Sequence, residues 1–77
     1  MAKYSLVGVD GNAYAVMGYT SRALKREGLE DLVDEMHEKA KSGDYYHLLA
    51  VCDEYIGKAN QKAVENGYED EDMEDEY

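Results

Sequence analysis

The residues able to do chemistry in this chain are few, and their spacing suits little of it. One cysteine, Cys52, and two histidines, His37 and His47, are the candidate nucleophile and metal ligands. A metal site built on them would need Cys-x-x-Cys or His-x-x-x-His spacing, which sets two donors on one helical face. Cys52 lies five positions from His47 and off its face, and His37 falls in a different element. Nor does Cys52 have a basic neighbour to draw off its proton, so it reads as a small buried hydrophobe. Ser5, Ser21 and Ser42 stand in no nucleophile motif. Asp10-Gly11-Asn12 invites comparison with a calcium loop, but Leu6 and Gly8 occupy the positions where oxygen ligands should precede it. No glutamate stands six residues after Gly11. Gly8-x-x-Gly11 lacks the third glycine and the Lys-Ser/Thr pair of a phosphate-cradling loop. The expectation is a non-enzymatic protein with no cofactor and no metal.

Charge says more. The formal net charge is −10, from 18 acids and 8 bases. Seven of the acids crowd into residues 69–77 with no base among them: Glu69, Asp70, Glu71, Asp72, Glu74, Asp75 and Glu76. Such a like-charge block is expected to be a disordered acidic tail. Three roles suit it. It could simply solubilise, or clamp a basic partner surface. With Tyr68, Met73 and Tyr77 spaced among the carboxylates, it could also imitate a nucleic-acid backbone in a basic groove, with binding that weakens steeply in salt. Direct nucleic-acid binding by the chain itself is not expected, because clustered cations are too few. Arg22, Lys25 and Arg26 share one helical face at three- and four-residue spacing. They form either a solvated face or a docking surface for the acidic tail or an acidic partner. Eight tyrosines stand without Phe or Trp. Tyrosine suits half-buried positions and interfaces, and the adjacent Tyr45 and Tyr46 are the pair singled out for partner contact.

One small domain, residues 1–67, must position these groups. A chain of 77 residues buries only about 60% of its unfolded surface. The single cysteine excludes an intramolecular disulfide and fits a reducing, cytoplasmic setting. No signal peptide is expected from Met1-Ala2-Lys3 and the short apolar run that Asp10 interrupts, and nothing approaches the roughly 18 apolar residues that span a bilayer. The predicted fold is α+β and mostly α. Residues 3–9, β-branched and bounded by turn chemistry at Asp10-Gly11-Asn12, read as a strand. Ala13 to Met17 could return as the second strand of a short hairpin. The spacing of Ala13, Val16, Met17, Thr20, Ala23 and Leu24 favours a helix over 12–27 capped by Asn12 and closed by Gly28. A second helix is expected over 29–41, with Leu29, Leu32, Val33, Met36 and Ala40 on one face. The third, over 44–66 and capped by Asp44, turns Tyr45, Leu48, Leu49, Cys52, Tyr55, Ile56 and Ala59 inward. A lone strand leaves its ladder groups unpaired. A homodimer through that strand is the economical remedy; the returning strand, or a C-terminal segment lying beside it, is the alternative.

Val7-Gly8-Val9-Asp10-Gly11-Asn12-Ala13-Tyr14, followed by Met17-Gly18, and the later Ser42-Gly43-Asp44-Tyr45-Tyr46-His47-Leu48-Leu49 carry a resemblance. Together they resemble a family of small uncharacterised proteins of bacteriophages and prophages. These join a Val-Gly-x-Asp-Gly-Asn-Ala-aromatic opening to a Ser-Gly-Asp-Tyr-x-His-Leu-Leu segment. The resemblance covers residues 4–56 and implies a mobile-element origin without an activity. At the residue level it implies structural positions: Gly8, Asp10, Gly11, Asn12, Asp44 and Leu48. The chain departs from the pattern after the third helix, running through Lys58-Ala59-Asn60-Gln61-Lys62 into the acidic tail. The functional expectation is a protein-interaction module of phage or prophage type, with a host or phage protein as partner and no membrane contact. The alternative is an acidic mimic that blocks a nuclease or another DNA- or RNA-binding protein.

Overall fold

Asn12 starts the first helix, α1 (Ala13–Arg26), by turning its side chain back on the chain. Its Oδ1 accepts the Ala15 N–H at 2.8 Å while its carbonyl takes the first helical bond from Val16. This is a computed structural model, and it describes residues 2–68. Two further helices follow, α2 (Val33–Lys41) and α3 (Tyr45–Glu65). The helix expected over 12–27 is therefore present, and Ala13 to Met17 lie in it rather than in a hairpin.

Both α1 and α3 end in the same device. Past α1, Leu29 N–H bonds Leu24 O at 2.8 Å and Gly28 N–H bonds Lys25 O at 3.2 Å. Past α3, Tyr68 N–H bonds Ala63 O at 2.9 Å and Gly67 N–H bonds Val64 O at 3.0 Å. These are Schellman closures. They require a left-handed residue, which Gly28 (φ +79°) and Gly67 (φ +103°) supply without strain. The closure consumes Leu29, so the second helix starts later than 29. A 3₁₀ turn over Glu30–Leu32 leads into α2 instead.

The core lies between the three helices, with α3 packed against both of the others. Val16, Met17, Thr20, Ala23 and Leu24 enter it from α1, and Met36 and Ala40 from α2. Because α3 touches a helix on each side, its buried stripe is broader than one face: Val51 and Ala63 join Leu48, Cys52, Tyr55, Ile56 and Ala59. Tyr45, expected inward, is instead 40% exposed. The polar groups caught inside are answered. Thr20 Oγ1 donates to Val16 O at 2.9 Å, and the Tyr55 hydroxyl donates to Glu35 at 2.5 Å. Among the described residues no buried side-chain polar atom is left without a partner.

The expected strand over residues 3–9 is corrected: no β-strand occurs among the described residues. Burial alternates only as far as Val7, with Tyr4 buried, Ser5 exposed, Leu6 half-buried and Val7 90% exposed, and a turn with Gly8 at φ +86° then breaks the run. Side chains satisfy the backbone groups that a ladder would have paired. Asn60 on α3 grips Tyr4 from both sides, its Oδ1 accepting the Tyr4 N–H at 2.7 Å and its Nδ2 donating to the Tyr4 carbonyl at 2.9 Å. The Tyr19 hydroxyl accepts Ser5 N–H at 3.1 Å, Ser5 Oγ accepts Val7 N–H at 3.1 Å, and Val9 N–H closes a turn on Leu6 O at 3.1 Å. With no strand, the homodimer through strand pairing loses its premise. Among the described residues, no helix is long and apolar enough to cross a membrane.

Candidate interaction face

The two sequence motifs lie 34 positions apart yet meet in space. The Tyr45 hydroxyl donates to the Gly11 carbonyl, joining the turn before α1 to the first turn of α3. Each turn is also a helix cap. Asp10 Oδ1 accepts the Asn12 N–H at 3.3 Å and Asn12 caps α1, while Asp44 Oδ1 accepts the His47 N–H at 2.9 Å to cap α3. His47 then reaches back. Its Nε2 lies 2.7 Å from the Lys39 carbonyl, which can only accept, so this nitrogen carries a proton. Ser42 Oγ donates to the same carbonyl at 2.8 Å and lies 3.2 Å from Nε2. The end of α2 is thus closed by residues from beyond it. Gly43 makes room for the imidazole, because a Cβ there would sit 2.7 Å from His47 Cγ. Leu48 drops into the core. Gly8, Asp10, Gly11, Asn12 and Asp44 all occupy turn or cap positions in this arrangement.

The joint leaves one motif aromatic without internal work. Tyr14 is 86% exposed and stands between two hollows. The larger, about 430 Å³, has Ala13, Met17, Ala40 and Leu48 as an apolar floor, with Tyr14, Tyr45 and Lys41 at its walls. The smaller, about 240 Å³, shares Tyr14, Met17 and Lys41 and runs on to Gly18, Ser21 and His37. Tyr46, at 79% exposure, stands edge-on to Tyr45 with ring centroids 6.2 Å apart. A partner covering these rings would gain a large apolar area per side chain and still find hydroxyls to bond. The expected pair Tyr45 and Tyr46 is therefore at the surface. Tyr14 and Lys41, overlooked in the sequence, complete the face. The cue for Tyr14 was its flank: it sits two residues past a cap on a helix whose apolar stripe leaves it out.

The predicted cationic trio is divided. Arg22 and Arg26 line a third hollow, about 260 Å³, with Tyr4, Tyr19 and Ala23; Lys25 is not part of it, and Lys3 takes its place. Lys3 is held there by Glu27, the residue that ends α1. Glu27 is 4% exposed and accepts from Lys3 Nζ at 2.8 Å, the Tyr4 hydroxyl at 2.5 Å and Asn66 Nδ2 at 3.3 Å. Hydrogen bonds from Lys3, Tyr4 and Asn66 hold its carboxyl below the usual carboxylate range despite burial. The same contact pushes the Lys3 ammonium up, and burial together with Glu27 pushes the Tyr4 phenol up. Among the described residues no carboxylate pairs with Arg22, Lys25 or Arg26. The acids Glu69, Asp70, Glu71, Asp72, Glu74, Asp75 and Glu76 lie outside the described residues.

Sequence spacing missed one pair with catalytic looks, Ser21 Oγ and His37 Nε2, at 2.9 Å. Ser21 sits inside α1, where neighbouring N–H groups are spent in the helical ladder and cannot form an oxyanion hole. The hydroxyl instead ties α1 to α2. Cys52 is fully buried, and burial pushes its thiol pKa up, away from the reactive thiolate. No group of three His, Cys, Asp or Glu side chains among the described residues is placed to hold a metal ion. The surface carries an aromatic face at one joint and a cationic cleft at another. No protein-family model, curated protein or solved structure matches this chain.

Proposed function

We propose that this chain is a non-enzymatic, protein-binding module of phage or prophage type, working in the cytoplasm of a bacterial host. Its partner inserts an apolar side chain between Tyr14 and Tyr45. One observation carries this reading: Tyr14 is 86% exposed beside an apolar-floored hollow of about 430 Å³, while the motif residues around it are spent on caps. Aromatic residues at the rim of such a pocket are the side chains that dominate binding energy at protein interfaces. The resemblance of the two motifs to phage and prophage proteins supports the origin.

The test compares tagged full-length chain with Tyr14→Ala and with Tyr46→Ala, both exposed positions whose loss leaves the helical circular-dichroism signal unchanged. Each substitution should weaken capture of the host or phage partner by at least about thirtyfold, the equivalent of about 2 kcal/mol at a central contact. Capture should survive raised salt, since the face is apolar. A second reading rests on the seven acids of residues 69–77: the chain acts as a nucleic-acid mimic on a basic protein. Capture that ignores Tyr14 and Tyr46 but is abolished by salt would replace the first reading with that one.

A further inference from the structure

Three positive charges meet around one hollow, and only one of them is answered. Arg22 and Arg26 line the cleft of about 260 Å³ from α1, one helical turn apart, with Lys3, Tyr4, Tyr19 and Ala23 around them. Glu27 takes Lys3 at 2.8 Å, and no carboxylate among the described residues takes either arginine. Like charges four positions apart on a helix repel one another, so the pair opposes the fold unless something negative lies against it. A neutral donor is unspent as well. The Tyr19 hydroxyl accepts the Ser5 N–H at 3.1 Å, and its own proton has no acceptor among the described residues. The cleft thus gathers donors without acceptors, which is the inventory of an anion site. Its rim is held in place: Lys3 Nζ lies 5.5 Å from the Tyr4 ring centroid, and Asn60 grips the Tyr4 backbone.

We propose that this cleft binds the doubly charged phosphoryl group of a phosphate monoester. Charge argues first. Lys3, Arg22 and Arg26 less the Glu27 carboxylate leave two positive charges, and a monoester phosphate carries about −1.5 to −2 at neutral pH. A carboxylate would answer only one of them. Geometry agrees: residues four apart on a helix are separated by about 6 Å along its axis, within reach for two long side chains to close on one tetrahedral anion. Each arginine offers a planar fork that takes two phosphate oxygens through parallel bonds. Size sets the limit. The cleft is smaller than the roughly 300–1,000 Å³ of pockets that enclose a whole small molecule, so it takes the charged group and leaves the rest of the ligand outside. The Tyr4 and Tyr19 rings, edge-on with centroids 6.5 Å apart, set apolar wall beside the cations, which favours an ester over the free ion. The chain's net charge of −10 does not forbid this. At physiological ionic strength the screening length is about 8 Å, so a bound anion responds chiefly to the lining. The cleft shares no lining residue with the Tyr14 hollow and stands whether or not that hollow binds a protein.

The test titrates the full chain with phenyl phosphate, inorganic phosphate and acetate at neutral pH and matched ionic strength. Nuclear magnetic resonance of the arginine Nε–Hε groups and the Ser5 amide reads the outcome. Phenyl phosphate should shift the Arg22, Arg26 and Ser5 signals saturably, with a Kd of about 1 mM or tighter, and leave the Tyr46 amide in place. Inorganic phosphate should bind the same groups more weakly, and acetate should not saturate them. Lys25 lies between the two arginines in sequence but outside the cleft, so Lys25→Gln is a control of equal charge. Arg22→Gln and Arg26→Gln, both at exposed positions, should each weaken phenyl phosphate at least about tenfold, while Lys25→Gln changes it by less than about twofold. Helical circular dichroism should be the same in all three. Equal losses from the three variants would overturn the proposal, because they show diffuse attraction and no site. Acetate as tight as phenyl phosphate, or no saturable shift with either phosphate, would overturn it too. Inorganic phosphate binding tighter than the ester would overturn the assignment to a monoester and leave the free ion as the ligand.

Discussion

Gly43 is a glycine because of its neighbour and not because of its own backbone torsion. The His47 ring lies where a side chain would project, 2.7 Å from the position of a Cβ, and from there His47 caps the end of α2. Gly43→Ala should accordingly cost about 1–2 kcal/mol, as the ring is driven off and its bond to the Lys39 carbonyl is lost. His47→Ala should cost about 1 kcal/mol by itself. In the double variant the two losses should fall well short of their sum, because the clash no longer exists. Urea midpoints of the four proteins measure this, and strict additivity would show that the ring and the glycine are not coupled. The same reasoning ranks the aromatic residues. Tyr4 and Tyr55 are buried with their hydroxyls on carboxylates, Tyr45 is half-spent on Gly11, and Tyr14 and Tyr46 are left facing solvent.

The N-terminal segment is held at the level of elements by a side-chain amide in place of a sheet. Asn60→Ala deletes both bonds to Tyr4, leaves its N–H and carbonyl to water, and should lower stability by about 1–3 kcal/mol. The amides of residues 4–9 should then exchange far faster while those of α1 and α3 stay protected, which hydrogen exchange would read directly. Uniform loss of protection would mean that the segment is not a separable unit. The helices were legible because their signals are local: Asn12 and Asp44 before apolar runs of helical period, Gly28 and Gly67 after them. The segment was misread because its β-branched residues carry a strand's composition, while the group that pairs it is a polar residue 56 positions away. Nothing in the spacing around Asn60 marks it. The start of α2 slipped for a related reason, since Leu29 closes α1 and cannot also open the next helix. At the candidate face the turns and caps were legible as turn chemistry. The pairing of Tyr45 with Gly11, and with it the hollow beside Tyr14, depends on how α1 and α3 cross.

Across the whole molecule, Glu27 is where the chain's distant parts meet: the N-terminal segment through Lys3 and Tyr4, the end of α1, and the end of α3 through Asn66. Its carboxyl is held below the usual range, so the folded state binds that proton more weakly than the unfolded state does. The stability it adds is present above the ordinary carboxylate range, about pH 4.3, and is lost as pH falls through that range toward the depressed value. Glu27→Gln should therefore cost about 2 kcal/mol at neutral pH, and the gap from the parent protein should close on acidification. Urea denaturation of both proteins from pH 7 to pH 3 follows the gap and cancels the contribution of the other acids; a gap independent of pH would exclude the linkage. The Asn60 grip on Tyr4 has a consequence in time as well. Synthesis delivers Tyr4 long before Asn60, so the opening residues wait without their partner while more than fifty others are added. Closing so long a loop is favourable only once α1 and α3 already stand together. Docking of the N-terminal segment should therefore come late in folding, and in pulsed hydrogen exchange the amides of residues 4–9 should gain protection after those of α1 and α3.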